Sequence, residues 1–265
     1  MDLKDVICLG IAGNFADHLE QAGELEDFKN VVTKEQHAPK GIFPFYLPNS
    51  ECFLGLYPIG TKILNLPTYE ANAQVEPEIA VLFDIVYDVD MKVLDLQATK
   101  FTTFNDCTIR KEGAKKISEK KSWGINSKGI GSNWIDIDKF EEGGVMDNYH
   151  ICSFVNRNGV LYPYGIDAPL VGYSYFYTKL KNWLIDKMNT QEDFGPLENI
   201  AEHLKKCIYP KQTLVSIGAT AYAEFGRHNY LAVGDEVFVI AYDKYCDDTD
   251  LIASSKKVIL HQKVL

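Results

Sequence analysis

The chain has 265 residues, is 46% hydrophobic and 24% charged, and carries a formal net charge of -10. That is enough apolar material for one large core, so disorder is not the expected state. The acidic balance, with no basic stripe, excludes a duplex or RNA binder and an anionic membrane surface as partners.

The N-terminus, Met1-Asp2-Leu3-Lys4-Asp5, lacks the basic start of a signal peptide, and the apolar run Val6 to Ala12 is short. No segment approaches the roughly 20 apolar residues of a membrane span, so a cytoplasmic protein is expected. The 6 cysteines are scattered without a C-x-x-C pair, which reads as free thiols rather than a disulfide framework.

Val6 to Ile11 reads as a buried strand and Gly13 as a turn. Asn14 is placed to cap a helix on which Phe15, Leu19, Ala22 and Leu25 recur at helical spacing. His37 to Leu66, rich in Pro, Gly and aromatics, predicts short strands and turns. Glu78 to Val86 predicts a strand with Ile79, Val81 and Phe83 on one face and Ala80 and Leu82 on the other. Ala98 to Thr103 leads into a polar turn at Asn105-Asp106, and the charged run Lys111 to Lys121 reads as a solvated helix or loop.

Asn158-Gly159 between Ile151–Val155 and Val160–Tyr162 is a hairpin signal. Tyr173 to Met188 and Leu197 to Cys207 look helical, whereas Thr213 to Ile217, Glu236 to Tyr242 and Lys257 to Leu265 look like strands. Strands outnumber helices and do not alternate with them. The expected class is therefore mixed α+β rather than a doubly wound sheet.

Glu76 and Glu78 lie two residues apart at a strand start marked by Pro77, so both side chains project to one face. Like charges at that spacing repel, and a hard cation with oxygen preference relieves them. Asp106, at the polar turn after the next strand, could supply a third oxygen. With no nearby His or Cys pair, such a set favours magnesium, manganese or calcium over zinc. On spacing alone, E-x-E is more commonly a solvated strand face.

Other segments fit one pattern in chain order. Gly13-Asn14-Phe15-Ala16-Asp17-His18 resembles the G-x-N-Y-A-x-H opening of the fumarylacetoacetate hydrolase superfamily, and Phe45-Tyr46-Leu47-Pro48 resembles its F-x-K-P. Val75 to Val81 is similar to its E-x-E-L-A-V strand, and Asn105 to Arg110 to its N-D-V-S-A-R turn. Lys121-Ser122-Trp123 with Gly131 and Trp134 resembles its K-S-F-D…G-P-W, and Asn158-Gly159 its mid-chain hairpin. Gly218-Ala219-Thr220, Leu231 and Gly234-Asp235 fall where it has G-T-P and L-x-x-G-D.

The resemblance implies one catalytic domain over residues 1–265, a mixed β-roll or barrel-like core with few peripheral helices and residues 1–70 packed on it as an N-terminal segment. It implies a homodimer and Mg2+ (or Mn2+ or Ca2+) on Glu76, Glu78 and Asp106, with Lys121 beside substrate and His18 moving protons. Members hydrolyse, decarboxylate or isomerise small oxo-acids and β-diketo acids. Arg110 and Gln21 are candidates for the substrate-facing shell, Arg110 alternatively as a brace for the metal turn, and Lys120 competes with Lys121 in register.

The sequence departs from the pattern around the substrate. Gln21 replaces the family glutamate one helical step from His18 and cannot stabilise an imidazolium as a carboxylate would. Leu47 replaces a lysine, Ala219-Thr220 replaces Thr-Pro, and Gly124 replaces an aspartate. These losses motivate the alternative of a catalytically diverged protein that binds a small carboxylate. Asp247, Asp248 and Asp250 lack the glycine and terminal glutamate of an EF-hand loop and read as a solvated turn.

Overall fold

A computed structural model describes residues 2–15, 21, 28–33, 35, 37–111, 113–245 and 256–265. His18, nearly all of the expected first helix, and the Asp247–Asp250 cluster lie outside the described residues.

The early strands are β1 (Ile7–Ala12), β2 (Gly41–Tyr46), β3 (Ile59–Gly60), β4 (Ile63–Leu64) and β5 (Ala73–Gln74). A long hairpin follows, β6 (Pro77–Tyr87) and β7 (Val93–Asn105), then β8 (Thr108–Ile109), the short helix α1 (Ser118–Lys121), β9 (Lys128–Ile130) and β10 (Ile135–Asp136). The second half holds β11 (Tyr149–Arg157), β12 (Val160–Pro169), α2 (Tyr177–Thr190), α3 (Ile200–Lys206), β13 (Gln212–Ser216), α4 (Glu224–His228), β14 (Glu236–Asp243) and β15 (Lys257–Val264).

An eight-stranded sheet runs β2-β1-β13-β6-β7-β9-β3, with β10 also on β7. A five-stranded sheet runs β12-β11-β14-β15-β4, and β5 pairs with β8. Most pairs are antiparallel, while β1 lies parallel to β13. The result is a mixed α+β fold with a curled, half-barrel main sheet, as expected.

The centre of the main sheet is buried on both faces, which explains the unbroken apolar run of β6. Ile79, Val81 and Phe83 join the larger core, packed with Val237, Val239 and Leu260 of the second sheet. Ala80 and Leu82 face a smaller core with Phe43, Phe45 and Phe104. The Asn158-Gly159 turn forms as read, both residues having positive φ (55° and 83°), as a type I′ hairpin needs.

Two expectations are corrected, the first of them the start of the helix read from Tyr173. Just before the helix begins, the chain is tied to Asn14, whose Nδ2 donates to the carbonyls of Tyr175 (2.9 Å) and Ile217 (2.8 Å) and whose Oδ1 accepts the Tyr175 N–H (2.8 Å). The Ser174 N–H also goes to the Asn14 carbonyl. The backbone is extended at Tyr173 and again at Phe176, so α2 starts at Tyr177 rather than Tyr173. The second correction is to the charged run, which does not stay in solvent: Lys121, its last residue, is buried.

Candidate metal centre

The site is built where β6 begins and β7 ends. Pro77 stands opposite Asn105 in the antiparallel ladder. Just beyond, the Asp106 N–H donates to the Glu76 carbonyl (2.9 Å) and the Glu76 N–H to Asn105 Oδ1 (3.2 Å). Asn105 Nδ2 donates to Gln262 Oε1 (3.1 Å), while Gln262 Nε2 donates to the carbonyls of Ile63 and Lys128. A buried amide pair thus locks the turn to β15, and the turn delivers Asp106 to the two glutamates. One oxygen from each of Glu76, Glu78 and Asp106 lies within 4.8 Å of the others. All three residues are buried, at 3%, 1% and 0% exposure.

Cations converge on these acids. Lys121 Nζ contacts Glu76 Oε2 and lies 2.7 Å from Asp106 Oδ2. Lys128, fully buried, reaches Asp106 Oδ1 (2.8 Å) and donates to the Cys107 carbonyl (2.6 Å). Arg110 Nη2 stands 3.6 Å from Glu76 Oε1. Its guanidinium is held by Gln74 Oε1 (2.7 Å) and the Tyr222 hydroxyl (3.0 Å), the arrangement of a brace behind the metal turn.

Glu78 accepts the Gly218 N–H at 2.9 Å. Gly218 has φ +115°, and a Cβ there would lie 2.9 Å from Asn14 Cβ, so this close turn requires glycine. Burial, then the Asp106 and Glu76 charges, push the Glu78 carboxyl well above the usual range despite Lys121 and the Gly218 amide. Burial lowers the Lys128 ammonium against the pull of Asp106, and lifts the Cys107 thiol to about 12. The protein alone thus disfavours the ionised form of Glu78. A hard divalent cation would favour that form, and the all-oxygen donor set suits such an ion. Bound there, it would be held by Glu76, Glu78 and Asp106 and would polarise a ligand oxygen as a Lewis acid.

Gln21 Oε1 accepts the Tyr222 N–H (2.7 Å), which ties this residue to the segment that follows Gly218. Leu47, in place of the family lysine, is an ordinary buried core side chain. Sequence reasoning missed Lys128 and Gln262. The only signal for Lys128 was a lone lysine in the glycine-flanked Ser127-Lys128-Gly129-Ile130-Gly131, and strand alternation near the C-terminus gave none for Gln262.

Fold and site together define a class, that of the fumarylacetoacetate hydrolase-like fold. Cg1458, solved with an inhibitor, is similar over 98% of this chain and 76% of its own, at 16% identity and a TM-score of 0.58. A 2-keto-3-deoxy-D-arabinonate dehydratase, complexed with magnesium and 2,5-dioxopentanoate, is similar over 97% of this chain and 72% of its own (16% identity, TM-score 0.55). A protein from Oleispira antarctica bearing a fumarylacetoacetate isomerase/hydrolase name is similar over 98% and 93% (14% identity, TM-score 0.55). At such identities the likeness establishes the fold. No curated protein matches the sequence. The chain belongs to the family of unknown function DUF5718, whose pattern matches residues 24–263.

Proposed function

We propose that this protein is a divalent-metal-dependent enzyme that hydrolyses, decarboxylates or isomerises a small oxo-acid or β-diketo acid at a C–C bond next to its carbonyl. The observation that carries the reading is the convergence of Glu76, Glu78 and Asp106 in a buried cluster. Their oxygens hold Mg2+, with Mn2+ or Ca2+ as alternatives. Lys121 stands between the two chain segments that supply the acids, where its ammonium can meet a substrate carboxylate or a developing enolate. His18 moves protons. Gln21 fixes the Tyr222 backbone, and Arg110 orients Glu76 and borders the substrate.

The second reading is a metal-containing protein that binds a small carboxylate without turnover. Leu47 favours it, since an apolar core residue stands where the family pattern has a cation.

The partner is a small-molecule carboxylate rather than nucleic acid or membrane, and among the described residues no helix is long and apolar enough to cross a bilayer. Cytoplasmic placement and a homodimer complete the proposal. The outward face of the five-stranded sheet, where half-buried Phe154 opposes Phe238 and Cys152 opposes Ile240, suits the dimer contact.

Calorimetric titration with magnesium or manganese is the direct test. One site per chain is expected, lost when Glu76 and Glu78 are both replaced by Gln. An isotherm unchanged by those replacements refutes the metal centre. Incubating the metal-loaded protein with oxaloacetate and acylpyruvates then separates the readings. Turnover supports the enzyme, and binding without turnover supports the carboxylate-binding protein.

A further inference from the structure

Lys121 and Lys128 touch different oxygens of one aspartate. Lys128 is fully buried within β9, its N–H bonded to the Pro58 carbonyl and its own carbonyl accepting from Gln262. Its ammonium is shared between Asp106 Oδ1 and the Cys107 carbonyl, the next residue along the turn. The lysine therefore holds the turn by the Asp106 side chain and the Cys107 backbone at once, from a strand that cannot shift without breaking its pairing with β3 and β7.

From this we propose that Lys128 is a positioning residue that keeps Asp106 Oδ1 occupied, so that a metal taking the place of Lys121 at Oδ2 would meet this aspartate through one oxygen, which biases the centre toward magnesium and manganese over calcium; the proposal rests on the metal reading above. The Gly218 amide engages one oxygen of Glu78 in the same sense. Calcium commonly takes six to eight oxygens with bidentate carboxylates, whereas magnesium takes six in a stricter geometry and keeps several waters. A carboxylate pinned at one oxygen suits the second ion. No sequence motif marks Lys128, because its role depends on β9 lying beside the end of β7.

The test is calorimetry of the full chain with Mg2+, Mn2+ and Ca2+, on the wild type and on Lys128→Met. Removing a charge strengthens every divalent ion alike, so the ratio of affinities isolates positioning from electrostatics. The wild type is expected to prefer Mg2+ to Ca2+ by about tenfold or more, the usual scale for outer-shell control, and Lys128→Met to bring that ratio toward one. An unchanged ratio in a folded variant overturns the role of Lys128 while leaving the metal centre standing. Absence of any binding to the wild type overturns both. Should the variant not fold, the wild type decides alone: Ca2+ bound as tightly as Mg2+ overturns the proposal, and a tenfold preference for Mg2+ supports it.

Discussion

Lys121 and Lys128 meet the same buried aspartate from two kinds of structure. Lys121 comes from α1, a single four-residue turn at the end of a charged run, and its ammonium lies on the carboxylates of Glu76 and Asp106, with the Phe43 ring 5.3 Å away. Lys128 comes from a strand inside the main sheet and divides its ammonium between Asp106 and a backbone carbonyl. The first arrangement leaves a cation that an arriving metal or substrate could draw away from the acids. The second makes the cation part of the scaffold. A buried charge can thus be a working part or a structural one, and what separates the two is the rigidity of the element behind it and whether backbone shares the bond.

The largest effect that would sharpen this contrast is on stability without metal. Removing one partner of a buried ion pair typically costs about 3–5 kcal/mol. Lys128→Met should pay that in full in urea denaturation, and added Mg2+ should restore only part of it, because the ion does not replace the Cys107 contact. Lys121→Met should lose less, and saturating Mg2+ should restore nearly all of it. Equal recovery in both variants would erase the distinction.

A smaller effect is expected behind the turn. Gln262→Ala removes the acceptor for Asn105 and the donor to Ile63 and Lys128. A loss of about 1–3 kcal/mol is expected from the buried groups left unsatisfied, with weaker magnesium binding in calorimetry. Stability lost with metal affinity intact would show that the amide pair serves β15 rather than the site.

The smallest concerns α1 alone. Glu198 lies beneath it, and burial raises its carboxyl to about 7, with Asp193 and Glu119 adding to the rise and Ser118 and Lys116 opposing it. The nearby His203 is pushed down, chiefly by its own burial and then by Lys206. A carboxyl raised in the folded state costs nothing while protonated in both states. Stability therefore falls as pH climbs from the ordinary value of 4.5 through about 7, and the cost is complete above that. Glu198→Gln should flatten the melting temperature across this window and raise it slightly at pH 8. A melting profile identical to wild type would mean that the carboxyl is hydrated and α1 insensitive to it.

Much of this was legible in the residues. Apolar alternation located β6, β11, β13, β14 and β15 because each buries a face against a core, and a local turn rule located the Asn158-Gly159 hairpin. The acid pair around Pro77 and the Asn105-Asp106 turn could be named because adjacent side chains and strand ends are short-range facts. The contacts of Asn14 were not legible there for the opposite reason: its side chain meets backbone 161 and 203 residues away, which no local rule anticipates.

By itself the sequence determined a strand-rich α+β chain and the three acids that could share an ion, since both follow from periodicity and from charge spacing along a strand. Only the tertiary structure brings Lys121 onto Glu76 and Asp106, sets Arg110 3.6 Å from Glu76, and draws Lys128 and Gln262 to the same cluster. The physical reason is that burial creates these pairings. An ammonium or an amide in water has no preferred partner, and it acquires one only when the sheets exclude solvent and leave a few carboxylates or carbonyls within reach.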